Sequence, residues 1–259
     1  MIPAAAITEW SRQVPWPSVD QVEQDLLLSR LIVEIANDDY LGNELIFRGG
    51  TCLHKLVAPT PLRYSEDLDY VRTTSGGIRE FTRAVTSIGD RLGMQVTTKI
   101  GKHPKIYLRA PFEAGSTSMK VKIEVNTFER SPARPLERTP YGITTSWFAG
   151  EAAVQTFAVE ELVTTKIRAL FQRSKGRDLF DLWMAVTHLD VRPDDLVAAF
   201  APYRPDGFTG RRAEVNLRAK VAKASFVNDL RPLVATWPEN YEIGPAAELV
   251  IDEVLSLID

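Results

Sequence analysis

Ile46-Phe47-Arg48-Gly49-Gly50-Thr51, followed after a short gap by Arg63-Tyr64-Ser65-Glu66-Asp67-Leu68-Asp69-Tyr70, is the stretch that decides the fold. Glu44 to Phe47 reads as a short strand that runs into a glycine pair, and Asp67 to Val71 as a second strand. Side chains two apart on a strand share a face, so Asp67 and Asp69 present together while Leu68 and Tyr70 point into the core. Gly49 and Gly50 permit backbone geometry and close approach that a side chain would block. Thr51 then opens a short helix, reaching Val57, whose free N–H groups and hydroxyl suit phosphate oxygens. Paired carboxylates offer the hard oxygens that Mg²⁺ prefers, with water and substrate phosphates completing its shell. Taken singly, these motifs also fit an ordinary strand-to-helix turn and a solvent-facing strand edge. Arg48 has two readings as well, a phosphate contact or an ion pair with Asp67 or Asp69.

Outward from this stretch, Val19 to Tyr40 has helical periodicity with Ser18 as its cap. Ile78 to Leu92 is a second amphipathic helix, and Met94 to Ile100, Lys105 to Phe112 and Ser118 to Asn126 alternate as strands do. In the last of these, Val121, Ile123 and Val125 form an apolar face and leave Lys122, Glu124 and Asn126 on the other. If that strand lies beside Asp67 to Val71, Glu124 joins the carboxylate pair as a third acid. Ser131 to Pro140 is a proline- and arginine-bearing connection without periodicity. Beyond about Gln155 the pattern is helical over Val159 to Arg173, Arg177 to His188, Pro193 to Phe200, Glu214 to Ala224 and Pro245 to Leu257. The expected organisation is a mixed α/β domain over 1–150 and a mostly helical domain over 151–259, with the active site between them.

The helical half carries its own candidates. In the helix after Glu160, Leu162, Val163, Ile167, Leu170 and Phe171 form the buried stripe, and Lys166 falls inside that arc with Arg173 near its edge. A lysine there either snorkels to the surface or reaches a phosphate as a point charge. Asp178 and Asp181 share a face of the next helix. Asp178, in the first turn, is suited to capping. Asp181 lies deeper and needs a partner such as Lys166 or Arg173, or a role as general base toward an attacking hydroxyl.

The 259 residues are 44% hydrophobic and 25% charged, which is the composition of a globular chain able to bury a core. The net charge of -3 hides a basic stretch, since Lys166 to Lys223 holds twelve basic and seven acidic residues. Such a surface faces either water or a polyanion. The single cysteine, Cys52, excludes an internal disulfide and reads as a packing residue. The first residues lack a basic start followed by an apolar core, and no uncharged apolar run approaches the roughly 18 residues a span requires. A cytoplasmic protein with no membrane partner is expected. His54, His103 and His188 have no metal-ligand spacing.

Phe47-Arg48-Gly49-Gly50-Thr51, Arg63 to Asp69, Lys122-Ile123-Glu124, Lys166 to Leu170 and Arg173 to Asp181 occur in an order that resembles the AbiEii/MenT-like nucleotidyltransferase toxins of the DNA polymerase β-type superfamily. The resemblance implies an α+β fold, a nucleotidyltransferase-type mixed sheet with flanking helices followed by a helical C-terminal half. It implies that Asp67 and Asp69 bind Mg²⁺, with Glu124 as the least fixed acid, and that Gly50 and Thr51 hold an NTP triphosphate. It further implies that Lys166 neutralises phosphate charge, that Asp181 completes the catalytic set, and that the acceptor is the 3′ end of tRNA, whose modification stops translation. A cognate antitoxin is the implied protein partner, and the helical domain is the implied RNA contact. Modification of a small molecule or a protein by the same site, or a catalytically silent RNA-binding regulator, are the rival readings. Ser65, two residues before Asp67, is a candidate regulatory site, because a phosphate there would place about two negative charges beside the metal ligands.

Overall fold

In the computed structural model, which describes residues 2–115 and 117–259, the strands are β1 (Leu45–Arg48), β2 (Asp67–Arg72), β3 (Gln95–Lys99), β4 (Lys105–Pro111), β5 (Ser118–Asn126), β6 (Glu137–Thr144) and β7 (Ala149–Thr156). Among the described residues they form one mixed sheet in the order β3-β4-β5-β2-β1-β7-β6. With its flanking helices this is the α+β architecture that the sequence led us to expect. The chain divides into two compact units, Met1–Ser131 with Leu136–Phe157, and Pro132–Pro135 with Ala158–Asp259. Among the described residues no helix is long and apolar enough to cross a membrane.

The first unit holds the whole sheet together with α1 (Ala4–Trp10), α2 (Val19–Ala36), α3 (Leu41–Glu44), α4 (Gly49–Cys52) and α5 (Arg79–Arg91). Ser18 caps α2 as expected, its hydroxyl accepting from Gln21 N at 3.2 Å. The helix stops at Ala36, short of the expected Tyr40, because the Asp38 carboxylate accepts from the backbone N–H groups of Tyr40 and Leu41 and turns the chain. Leu26, Leu28, Leu31, Ile32 and Ile35 of α2 are buried, and the helix packs against β5, β6 and β7. At its other end, Asp25 Oδ2 accepts from Trp10 Nε1 at 2.8 Å and from Lys55 Nζ at 2.6 Å. That buried network ties α1 and α2 to the π-helical turn Leu53–Val57, into which α4 continues.

The hairpin β6–β7 has no counterpart in the sequence reading, which left Ser131 to Pro140 as an irregular connection. β7 is Ala149-Gly150-Glu151-Ala152-Ala153-Val154-Gln155-Thr156, nearly devoid of the β-branched and aromatic residues that mark strands. β6 contains Pro140 and Gly142, and it tolerates the proline because it is an edge strand of the sheet. Its partner β7 pairs with β1 in parallel at Phe47 and Thr156.

In the second unit, α6 (Val159–Gln172) packs on α7 (Gly176–His188), α8 (Pro193–Phe200) and α9 (Gly210–Val221). A four-residue turn of helix, α10 (Ala224–Val227), leads toward α11 (Ile243–Glu253), which covers α7 and α9. α9 begins at Gly210, before the expected Glu214, because the Thr209 hydroxyl caps it by accepting from Arg212 N. Phe180, Trp183 and Tyr241 pack their rings edge-on or tilted, with centroids 4.9–5.6 Å apart. Lys220 is buried against the C-terminal end of α6, where it donates to the carbonyls of Leu170 and Phe171. Burial draws its amine down to about 8, a fall that Asp178 partly opposes.

Glu161, fully buried on α6, explains why the short segment 132–135 belongs to this unit. Its carboxylate accepts from the backbone N–H groups of Ala133 at 2.7 Å and Arg134 at 2.9 Å, and from the Tyr203 hydroxyl. Removing it leaves three donors without their acceptor. Glu161→Ala is expected to lower unfolding free energy by about 3 kcal/mol, measured by urea denaturation; a loss under about 1 kcal/mol would show that the segment is held by other means.

Candidate functional site

The structure brings the three expected acids onto one face of the sheet. β2 and β5 run parallel with Asp67 opposite Lys122 and Asp69 opposite Glu124, while Leu68 and Tyr70 are buried beneath. Like charges directly opposite one another on neighbouring strands repel. The compensating charge is Lys122, whose Nζ lies 2.9 Å from Asp67 Oδ2 and 3.2 Å from Glu124 Oε2. Lys105 adds a second contact to Glu124 at 3.4 Å.

The protonation tendencies follow from this geometry. Burial pushes the carboxyl of Asp67 up, an effect that Lys122 opposes and the neighbouring acids reinforce. Asp69 is likewise pushed up by burial; Arg48 and Lys122 oppose the rise, and Asp67 and Glu124 add to it. Burial acts against the Lys122 ammonium, but Asp67, Asp69 and Glu124 more than offset it and hold the group well above the ordinary lysine range. Glu124 is held below its ordinary range, since Lys122 and Lys105 outweigh its burial. The face therefore carries more partly buried negative charge than its lysines neutralise, and a cation beside Asp67 and Asp69 would relieve it.

The glycine turn abuts this face. Gly49 has φ +85°, and a side-chain carbon there would lie 2.6 Å from Asp69 Oδ2. One residue on, a carbon at Gly50 would meet the Arg63 guanidinium at 2.5 Å. The Thr51 hydroxyl donates to the Asp67 carbonyl and lies 2.9 Å from Ser65 Oγ, so the turn is tied to the strand that carries the acids. The helix starts at Gly49 and not at Thr51, which brings both glycines into its first turn. Cys52 is buried against Phe47 and Thr156, in keeping with packing.

Arg48 answers its open question in a third way. It faces Asp69 across the β1–β2 ladder, yet its guanidinium pairs with Glu129 Oε2 at 2.9 Å. The Asn126 side chain accepts from the N–H groups of Phe128 and Glu129 and so turns the chain beyond β5 toward it. Glu129 lies outside every motif in the sequence and carried no local signal. Lys122 was visible on the polar face beside Glu124, and its role followed only from the register of β5 against β2.

The two lysines bear on metal binding. Asp67 and Asp69 have suitable donor chemistry, an excess of partly buried negative charge, and an ammonium group already standing as a cation against Asp67. Among the described residues, no group of three or more His, Cys, Asp or Glu side chains is gathered as a metal site. Glu124 shares the face of the aspartates but is engaged by Lys122 and Lys105.

In the second unit Lys166, Arg173, Asp178 and Asp181 form another group. Lys166 is buried, without snorkelling, and its Nζ lies 2.8 Å from Asp181 Oδ2 and 4.0 Å from Asp178 Oδ1. Asp178 does not cap α7 through its side chain; instead it takes a two-point contact from Arg173, at 2.6 and 2.7 Å. Asp181 is fully buried, and its bond to Lys166 favours the ion-pair reading over that of general base.

The sequence profile described as "Nucleotidyl transferase AbiEii toxin, Type IV TA system" matches residues 30–247. No curated protein matches the chain. Among solved structures, the fold is similar to MenT4, a nucleotidyltransferase toxin of Mycobacterium tuberculosis, with 19% identity, a TM-score of 0.53, and coverage of 94% of this chain and 98% of that one. It is also similar to JHP933 of Helicobacter pylori, with 18% identity, a TM-score of 0.53, and 91% of each chain covered.

Gly49→Ala would combine left-handed strain with displacement of the Asp69 carboxylate. Gly93, at φ +69° with nothing near its missing side chain, supplies the strain alone. Gly49→Ala is expected to destabilise by at least about 1 kcal/mol more than Gly93→Ala in thermal or urea unfolding. Equal losses would mean that Asp69 yields without cost.

Proposed function

This chain belongs to the AbiEii family of nucleotidyltransferase toxins, and on that premise we propose that it transfers a nucleotide from an NTP to the 3′-terminal hydroxyl of tRNA, using Mg²⁺. The observation that carries the reading is the setting of Asp67 and Asp69 together on one sheet face, with Asp69 directly against the glycine turn. Asp67 and Asp69 would hold the metal, which when bound would supply positive charge that neutralises phosphate oxygens. Gly49, Gly50 and Thr51 offer backbone N–H groups and a hydroxyl to the triphosphate, and Arg48 exchanges Glu129 for a phosphate oxygen.

The acceptor hydroxyl oxygen forms a bond to the α-phosphorus as the bond from that phosphorus to the β-bridging oxygen breaks. Pyrophosphate departs with the electron pair, and the hydroxyl proton passes to solvent. Lys166 serves as a point charge toward phosphate, with Asp181 positioning its ammonium and Asp178 and Arg173 bracing that pair. The excess of basic over acidic residues between Lys166 and Lys223 supports RNA binding. The remaining parts of the proposal are a cytoplasmic toxin that blocks translation and is restrained by a cognate antitoxin. Ser65, beside Thr51, is a point where phosphorylation would oppose NTP binding.

Purified protein incubated with α-labelled NTPs, Mg²⁺ and either total tRNA or total cell protein provides the test. Label is expected at the 3′ end of tRNA, reduced at least about a hundredfold by Asp67→Ala and strongly by Lys166→Met. Label in protein alone would move the chain to a different acceptor class. No label anywhere, with wild-type and Asp69→Ala chains equally harmful on expression, would point to binding without catalysis.

A further inference from the structure

A cavity of about 470 Å³ opens on the acid-bearing face of the sheet, bounded by Asp67 and Lys122 on one side and by Tyr107, Lys120, Phe112 and Gln24 on the others. Its volume falls in the range of small-molecule sites, which run from about 300 to 1,000 Å³. β4 is antiparallel to β5 with Tyr107 opposite Lys122 and Arg109 opposite Lys120, so the tyrosine lies in the same row as the Lys122–Asp67 pair. The Lys120 ammonium lies 5.1 Å from the centre of the Tyr107 ring, and the Arg109 guanidinium 5.8 Å. Lys120 is exposed and makes no ion pair among the described residues.

We propose that this cavity seats the 3′-terminal nucleoside of the RNA acceptor, its base stacked on Tyr107 and its phosphate met by Lys120 and Arg109. The inference rests on the transfer reaction proposed above and names the seat of its second substrate. Sheet order supports the assignment. The glycine turn follows β1 on one side of β2, while β5 and β4, which line the cavity, lie on the other. Asp67 and Asp69 thus stand between a turn suited to the donor triphosphate and a cavity suited to the acceptor. In-line displacement requires that arrangement, because the attacking oxygen approaches the phosphorus from the side opposite to the departing pyrophosphate. A tyrosine ring with cations beside it also suits a single-stranded end, since any base offers a face for stacking and the attached phosphate answers the charge.

Binding of a fluorescently labelled single-stranded RNA with a free 3′ hydroxyl, followed by anisotropy, tests the assignment alongside KM for NTP. Tyr107→Ala is expected to weaken RNA binding about tenfold and leave KM for NTP unchanged, with Tyr107→Phe close to wild type. Tyr107→Leu, which keeps side-chain bulk, should behave like the alanine variant if stacking is responsible. A rise in KM for NTP with RNA affinity intact would assign the cavity to the donor base and overturn the proposal. Equal RNA binding by all four proteins, or none by the wild type, would overturn it as well. RNA binding that depends on Tyr107, without label transfer to RNA, would uphold the cavity as an RNA seat and sink the transfer reaction instead.

Discussion

Three carboxylates on one face of two neighbouring strands form an arrangement that a sheet resists, and the rest of the first unit is organised around that cost. Asp69 and Glu124 stand in register, and Asp67 lies one side-chain pair away. The pairing survives because Lys122 projects from the strand that carries Glu124 and reaches Asp67 as well. Two lysines, Lys122 and Lys105, against three acids leave an unbalanced negative charge under partial burial. A protein selected only for stability would have little reason to keep it. The transfer reaction proposed above, which takes up a cation and a polyphosphate together, gives a direct one.

The second unit solves the opposite problem. Lys166 is a cation inside an apolar helix stripe, and it is closed off by Asp181 and flanked by Asp178, which Arg173 neutralises in turn. The cations Lys122, Arg48 and Lys166 thus each have a carboxylate partner within their own unit, at Asp67, Glu129 and Asp181. On the proposed function, substrate engagement through these residues is an exchange of partners and not the filling of bare charges. Such an exchange reduces the penalty of holding charged groups ready in the protein alone.

Most of the sheet was legible because alternation reports directly on a strand with one buried face. β5 matches its expected limits, and β2, β3 and β4 agree to within a residue or two. β6 escaped because Pro140 and Gly142 interrupt its β-branched and aromatic residues, and β7 because alanine and glycine carry little strand signal; the parallel pairing of β7 with β1 joins both to the sheet. The acids, the glycine turn and Lys166 were legible for a related reason, since each sits where periodicity makes a polar residue conspicuous. Glu129 and the capture of Arg48 were not, because a single acid beyond a strand end says nothing until the Asn126 turn folds it back.

The two lysines on polar strand faces show where sequence reasoning stops short even when the residue is in plain sight. Lys122 and Lys120 are two apart on β5 and look equivalent in the alternating pattern. Register separates them. Lys122 falls opposite Asp67 and is consumed in holding the acids together, whereas Lys120 falls opposite Arg109, beside Tyr107, with no ion-paired carboxylate among the described residues. A shift of two residues in the pairing of β2 with β5 would set Lys120 opposite Asp67 and Lys122 opposite Asp69 without changing a letter of either strand. The chemistry of this face is therefore written in strand register, which is a long-range property, and the sequence motif supplies only the set of groups that the register then sorts.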